Sequence, residues 1–238
     1  MSQTDYYSDS QHNKAQVVQN MFDIVAPKYD RFNQILSLGL DSLWRKKAIK
    51  ALYKGLPSEG TILDLGCGSG DLAGALYKDD KVIAGDFCYG MLKEAHTKFS
   101  NLNLMQSDAM ALPLQTESLK GVISAFVVRN IADMQLAFDE VHRCLVEGGQ
   151  FVILEFSVPK NPIMRFGFFT YLKIMFPIAC LLFRGDKQAY QYLRKSIRSF
   201  GENVNVVSHL EKSGFTNVTA TPLMSGGVMM YKGVKKND

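Results

Sequence analysis

Three aspartates, Asp64, Asp86 and Asp108, each stand at the close of a short apolar run, and alternate glycines, Gly66, Gly68 and Gly70, follow the first of them. Glycine-rich turns after strands bring backbone N–H groups close to a ligand. The spacing G-x-G-x-G differs from the dinucleotide fingerprint G-x-G-x-x-G, and no Lys-Ser or Lys-Thr follows as in a phosphate loop. Acid flanks the turn on both sides, at Asp64 and Asp71. Fixed carboxylates there disfavour a pyrophosphate and favour a ligand carrying positive charge or hydroxyls. Asp86, ending "KVIAGDF", can accept two hydrogen bonds from a ribose diol. Asp108 and the Ala109 N–H, ending "LNLMQSDA", can pair with an adenine edge.

S-adenosylmethionine has a sulfonium, an ammonium, a ribose diol and no phosphate, so it fits this set as cofactor. The residues expected to bind it are Asp64, Gly66, Gly68, Gly70, Asp86, Asp108 and Ala109. Taken singly, Asp86 also reads as a cap for the helix "YGMLKEAHTKF" and Asp108 as a turn cap. Three acids in order at three strand ends favour the binding site.

The elements that must position these residues alternate. Strands are expected at Thr61–Leu65, Lys81–Phe87, Leu102–Ser107, Gly121–Val128 and Gln150–Phe156, with helical segments between them. One of these, "MQLAFDEVHRCLVEGG", should end at Gly148-Gly149. "NVTATPL" and "VMMYKGVK" form a closing pair with an antiparallel strand. The pattern predicts an α/β fold, a Rossmann-like class I S-adenosylmethionine-dependent methyltransferase with a mostly parallel seven-stranded sheet and a helical cap. Residues 1–14 read as a mobile polar tail with no signal-peptide core, and 15–238 as a single domain. Within it, 15–57 form the N-terminal helical cap, broken near Pro27, and 158–200 an apolar helical insertion.

Composition excludes several classes. The net charge of +4 is mild and no basic block is interleaved with aromatics, so nucleic acid is not an expected partner. Cys67, Cys88, Cys144 and Cys180 lie far apart, which fits reduced thiols in a cytoplasmic protein. No His/Cys/carboxylate cluster has metal-ligand spacing, so no metal is expected. His12, His96, His142 and His209 sit in the tail or in helical segments. The apolar run Ile163–Phe183 is interrupted by Arg165, Lys173 and Pro177, which leaves it short of the roughly 20 residues of a membrane span. It reads as a buried helical pair, as a lid over a long apolar substrate, or as a surface that dips into a bilayer.

The segments "MFDIVAPKYDRFNQILSLGLDSLWR", "LDLGCGSGD", "SAFVVRNIAD", "LEFSVP", "YQYLRKSI" and "GGVMMYKGVK" closely resemble the C-methyltransferases of menaquinone and ubiquinone biosynthesis, from about Met21 to Lys235. The resemblance implies methyl transfer from S-adenosylmethionine to a ring carbon of a prenylated quinol. It maps cofactor positions onto Ser69, Asp86, Asp108, Ala109 and Ser124. This chain departs from the family pattern at Asp41, where histidine is usual, at Ala125 and Val127, where glycines are usual, and at Val146-Glu147, where Lys-Pro is frequent.

Ring methylation needs a phenolate-like acceptor held in line with the methyl. Arg129, just past the fourth strand, is expected as cationic partner of that phenolate, with Asn130 orienting a water or the other ring oxygen. The bland reading of Arg129 is an ion pair with an acid such as Asp133. Tyr29 and Asp30 in the cap would close over the substrate, and Asp30 or Asp71 would accept the proton through water. The expected partners are a prenylated quinol and, peripherally and transiently, the inner face of the membrane; a homodimer is left open. Alternatives are methylation of a sterol or another phenol, and a non-catalytic cofactor-binding scaffold.

Overall fold

The computed structural model describes residue 34 and residues 37–76, 80–183 and 187–236. The expected tail and the first part of the expected cap, with Tyr29 and Asp30, lie outside the described residues. The first described helix, α1 (Asp41–Tyr53), buries Trp44, Ala48 and Leu52, one stripe at helical spacing that faces the sheet. The glycine turn joins β1 (Thr61–Leu65) to α2 (Asp71–Leu76). Then come β2 (Lys81–Asp86), α3 (Tyr89–Lys98), β3 (Asn103–Gln106), β4 (Leu119–Ala125) and a 3-10 turn, Val128–Asn130. They are followed by α4 (Met134–Cys144), β5 (Leu145–Phe156), α5 (Pro162–Phe183), α6 (Lys187–Asn203) and α7 (Val206–Lys212). The chain closes with β6 (Phe215–Leu223) and β7 (Val228–Lys235).

The seven strands lie in the order β3-β2-β1-β4-β5-β7-β6. β1 to β5 pair in parallel, and β7 runs antiparallel to both β5 and β6. Strand order reverses between β1 and β4, which opens a crevice at their C-terminal ends. Both faces of the sheet are buried, so its strands alternate between two cores. Leu63, Val122 and Phe151 pack with Phe138 and Val141 of α4 and Leu210 of α7. Ile62, Ile123 and Val152 pack with Leu52 of α1, Leu72 of α2 and Leu92 of α3.

The structure corrects the expected strand limits. β4 stops at Ala125, not Val128, because Phe126 turns the backbone to a left-handed φ of 63°. β5 starts at Leu145, not Gln150. Gly148-Gly149 does not end the preceding helix but belongs to a bulge, as Leu119 pairs with Leu145 and Gly121 already with Gln150.

The insertion forms α5 and α6, and α5 continues through Pro177, where the ring removes one backbone donor without ending the helix. Phe168, Leu172 and Ile197 are buried against Phe156, so the pair has a packed inner face. Its outer face is apolar and exposed at Ile163, Met164, Phe166, Ile174 and Ile178. Among the described residues no helix is long and apolar enough to cross a membrane.

Candidate active site

The glycine turn begins where β1 ends. The N–H groups of Gly66 and Cys67 both donate to the Gly85 carbonyl of β2, at 2.8 and 2.9 Å, which bends the chain across the strand ends. Gly66, at φ 74°, meets two constraints. Its backbone is left-handed, and a Cβ there would overlap the Val127 side chain. Asp86 fastens the turn from the next strand: Oδ2 accepts from the Gly68 N–H and Oδ1 from the Cys88 N–H, both at 2.8 Å. Asp86 therefore braces the loops on either side of it, and it also lines the cavity that they enclose. A carboxylate oxygen can accept more than one hydrogen bond, which suits a diol. Asp108 Oδ1 accepts from the Met110 N–H at 2.9 Å, and Asp108 and Ala109 line the same cavity.

Asp64 is nearly the reverse case. It is 1% exposed, and its Oδ2 accepts from the Ala73 N–H in the first turn of α2 at 2.9 Å. Its Oδ1 has no hydrogen-bond partner. Burial pushes its carboxyl from 3.8 up to about 7, against the pull of the Arg45 charge and the Ala73 N–H. It supports the turn from behind, as it is absent from the cavity wall.

On the other side of the crevice the chain leaves β4 through Phe126. The Phe126 N–H donates to the Leu154 carbonyl at 2.7 Å, and its own carbonyl accepts from Arg129 Nη1. Arg129 Nη1 also donates to Glu155 Oε1 at 2.7 Å, while the Arg129 N–H reaches Glu155 Oε2 at 3.2 Å. The two side chains are 3% and 0% exposed, and the guanidinium lies 5.5 Å from the Phe156 ring centroid. The ion-pair reading of Arg129 therefore holds in kind with a different partner: Glu155 on β5, whereas Asp133 caps α4 through Leu136 N–H at 3.0 Å. Arg129 is not in the cavity wall, but Asn130 is. Asn130 Oδ1 accepts from the Tyr192 hydroxyl of α6 at 3.2 Å.

One cavity thus collects most of the expected cofactor residues. Gly66, Gly68, Ser69, Asp86, Asp108 and Ala109 line it, about 1040 Å³ of empty space including its open mouth. Ser124 does not; it is fully buried and donates to the Leu65 carbonyl at 2.7 Å, joining β4 to β1. Gly70 packs towards Leu102 and Phe99 instead, and Asp71 Oδ1 pairs with Lys98. Sequence reasoning missed Arg45, Phe126, Val127 and Tyr192. Arg45, Phe126 and Val127 line the cavity, and Tyr192 reaches it through Asn130. The "SAFVVRN" and "YQYLRKSI" segments carried the signal for all but Arg45, which lies in the preceding "LDSLWR".

S-adenosylmethionine fits these residues. Carboxylates face the cavity at the ends of β2 and β3, where a diol and an adenine amine would bind. Two buried polar atoms of the wall, Arg45 Nε and Ser107 Oγ, have no hydrogen-bond partner, an arrangement that a polar ligand relieves. Among the described residues no group of three or more His, Cys, Asp or Glu is placed to hold a metal ion.

Residues 9–235 match the model of the ubiE/COQ5 methyltransferase family. The chain is 35% identical over 223 residues to a demethylmenaquinone methyltransferase of Clavibacter sepedonicus, covering 92% of this chain and 90% of that one. It is equally similar, at 35% over 223 residues, to a ubiquinone/menaquinone biosynthesis C-methyltransferase of Syntrophotalea carbinolica, covering 90% of this chain and 92% of the relative. In fold it is similar to a phosphoethanolamine N-methyltransferase of Haemonchus contortus, with a TM-score of 0.63 at 13% identity, over 97% of this chain and 61% of that one.

Proposed function

Because the chain belongs to the ubiE/COQ5 methyltransferase family, we propose that it transfers a methyl group from S-adenosylmethionine to a ring carbon of a prenylated quinol, demethylmenaquinol above all. The observation that carries this reading is a single cavity with two kinds of wall. Acids stand at the ends of β2 and β3, and Phe126, Val127, Ile131 and the Asn130 amide stand at the end of β4. A donor and an aromatic ring can therefore share one compartment.

Bound S-adenosylmethionine supplies an electrophilic methyl. The ring carbon attacks well only when its hydroxyl becomes phenolate-like, so the protein must hold that oxygen and exclude water. Asn130 is our choice for the donor to the ring oxygen. The Tyr192 hydroxyl occupies its Oδ1, which leaves the two Nδ2 hydrogens for the substrate. Arg129 acts at one remove: its guanidinium is held by Glu155 and in turn fixes the Phe126 carbonyl, so it positions the turn rather than touching the ring.

The prenyl tail must be met where it is dissolved. The exposed face of α5, with Ile163 and Phe166 both 76% exposed, supports a peripheral contact with lipid. Exposed Lys160, Lys173, Arg194 and Lys195 on α5, α6 and the segment before them suit anionic headgroups, each contributing about 1 kcal/mol near such a surface.

The test is purified protein with S-adenosylmethionine and reduced prenylated naphthoquinol or benzoquinol, followed by mass spectrometry. One added ring methyl with equimolar S-adenosylhomocysteine is expected. If neither quinol is methylated while S-adenosylhomocysteine binds, the substrate assignment is wrong. Flotation with anionic liposomes tests the surface, and the variant Ile163→Ser, Phe166→Ser should lose it without unfolding. Phe168 is unsuitable for that test because it is packed in the core.

A further inference from the structure

We propose that Arg45 binds the carboxylate of the methyl donor, an inference that rests on S-adenosylmethionine being that donor. The cavity wall crosses four neighbouring strand ends, β3, β2, β1 and β4. At about 4.8 Å per strand this spans roughly 14 Å, the reach of an extended nucleoside with an amino-acid tail. Asp108 and Ala109 stand at the β3 end and Asp86 at β2, which places base and ribose there. The amino-acid tail is then carried to the β1–β4 end.

Arg45 lies at that end. Its guanidinium carbon is 5.9 Å from the ring centroid of Phe126, just past β4, and its charge acts on Asp64 of β1. Among the described residues lining the cavity it is the one Lys, Arg or His, while S-adenosylmethionine has one anionic group, its carboxylate. The side chain is 18% exposed and incompletely matched. Its Nε is buried with no hydrogen-bond partner, and the nearest ion-pair contact, Asp41 Oδ2, is 3.9 Å away, beyond hydrogen-bond range. A guanidinium offers five N–H donors in a planar fork that matches a carboxylate. A partly desolvated, under-bonded fork, where the tail of the ligand must lie, is suited to that group.

The test compares S-adenosylhomocysteine with its decarboxylated analogue, which keeps the amine and lacks the carboxylate, by calorimetry. The wild type should prefer S-adenosylhomocysteine. Arg45→Met retains the stem against Phe126 and should weaken S-adenosylhomocysteine about ten- to a hundredfold while leaving the analogue within about twofold. Arg45→Lys, which serves also if the methionine variant is unstable, should fall between. Equal losses for both ligands would make Arg45 a general support of the cavity and overturn the proposal. Unchanged S-adenosylhomocysteine affinity with reduced turnover would assign the guanidinium to the acceptor oxygen instead and overturn it as well. If the wild type binds neither ligand, the donor assignment itself fails, and this is distinct from both.

Discussion

Replacing Asp64 with asparagine should stabilise the ligand-free protein at pH 8 and change it much less at pH 4. In the unfolded chain this carboxyl loses its proton near 3.8, but in the folded protein burial delays ionisation to about 7. Between those values the unfolded state is the one that ionises, so rising pH favours unfolding, and above about 7 the loss is complete. At about 1.36 kcal/mol for each tenfold in proton affinity, the wild type loses roughly 4 kcal/mol across that window. Asparagine has no charge to bury, and its oxygen can still accept from the Ala73 N–H. The advantage of Asp64→Asn should therefore grow from pH 4 to 7 and then level off. Urea unfolding followed by fluorescence measures this, because the single tryptophan, Trp44, is buried at 4% exposure. A constant stability difference between the two proteins from pH 4 to 8 would refute the reasoning. A cationic donor favours the ionised carboxylate, so affinity for S-adenosylmethionine should rise from pH 5 to 7 in the wild type and stay flat in the variant.

Arg129→Ala leaves Glu155 buried without its cation and should cost about 3–5 kcal/mol in urea unfolding, much of which returns when Glu155→Leu is added. Gly66→Ala should lose stability and cofactor affinity together, and Val127→Gly in that background should restore part of both, with a coupling of about 0.5–3 kcal/mol in a double-mutant cycle. Independent, additive effects would show that the two residues do not meet. Asp86→Ala should weaken S-adenosylhomocysteine about ten- to a hundredfold by calorimetry; unchanged affinity would leave Asp86 as a brace between Gly68 and Cys88 alone.

The sheet was legible because each strand is a short apolar run closed by a turn residue, and the acids at Asp86 and Asp108 mark where strands end. What remained hidden depended on contacts between distant segments. Arg129 and Glu155 become neighbours only once β4 and β5 are known to pair in the register Ala125–Leu154. The end of β4 differs from expectation because "AFVV" is apolar throughout, and its left-handed turn falls on a phenylalanine, which propensity does not flag. Arg45 reads as one charge among several on α1, and only the seating of that helix against the strand ends turns it to the cavity. Likewise Tyr192 reaches Asn130 only because α6 folds back over the 3-10 turn.

The position of β7 bears on how the protein is made. It is the last of the seven strands to be synthesised, yet it lies between β5 and β6 and supplies the neighbour of each. Its Lys232 also reaches the first described helix, donating to the Ala51 and Lys54 carbonyls at 2.9 and 2.8 Å and so closing the end of α1. A nascent chain that has reached Leu223 therefore holds an open strand edge on β5 and a β6 with nothing to pair with, the arrangement that invites pairing between chains. The catalytic half can form early, but the sheet stays unsealed until β7 slides into its slot. A chain terminated after Leu223 should accordingly sediment as aggregate rather than persist as a weakened enzyme.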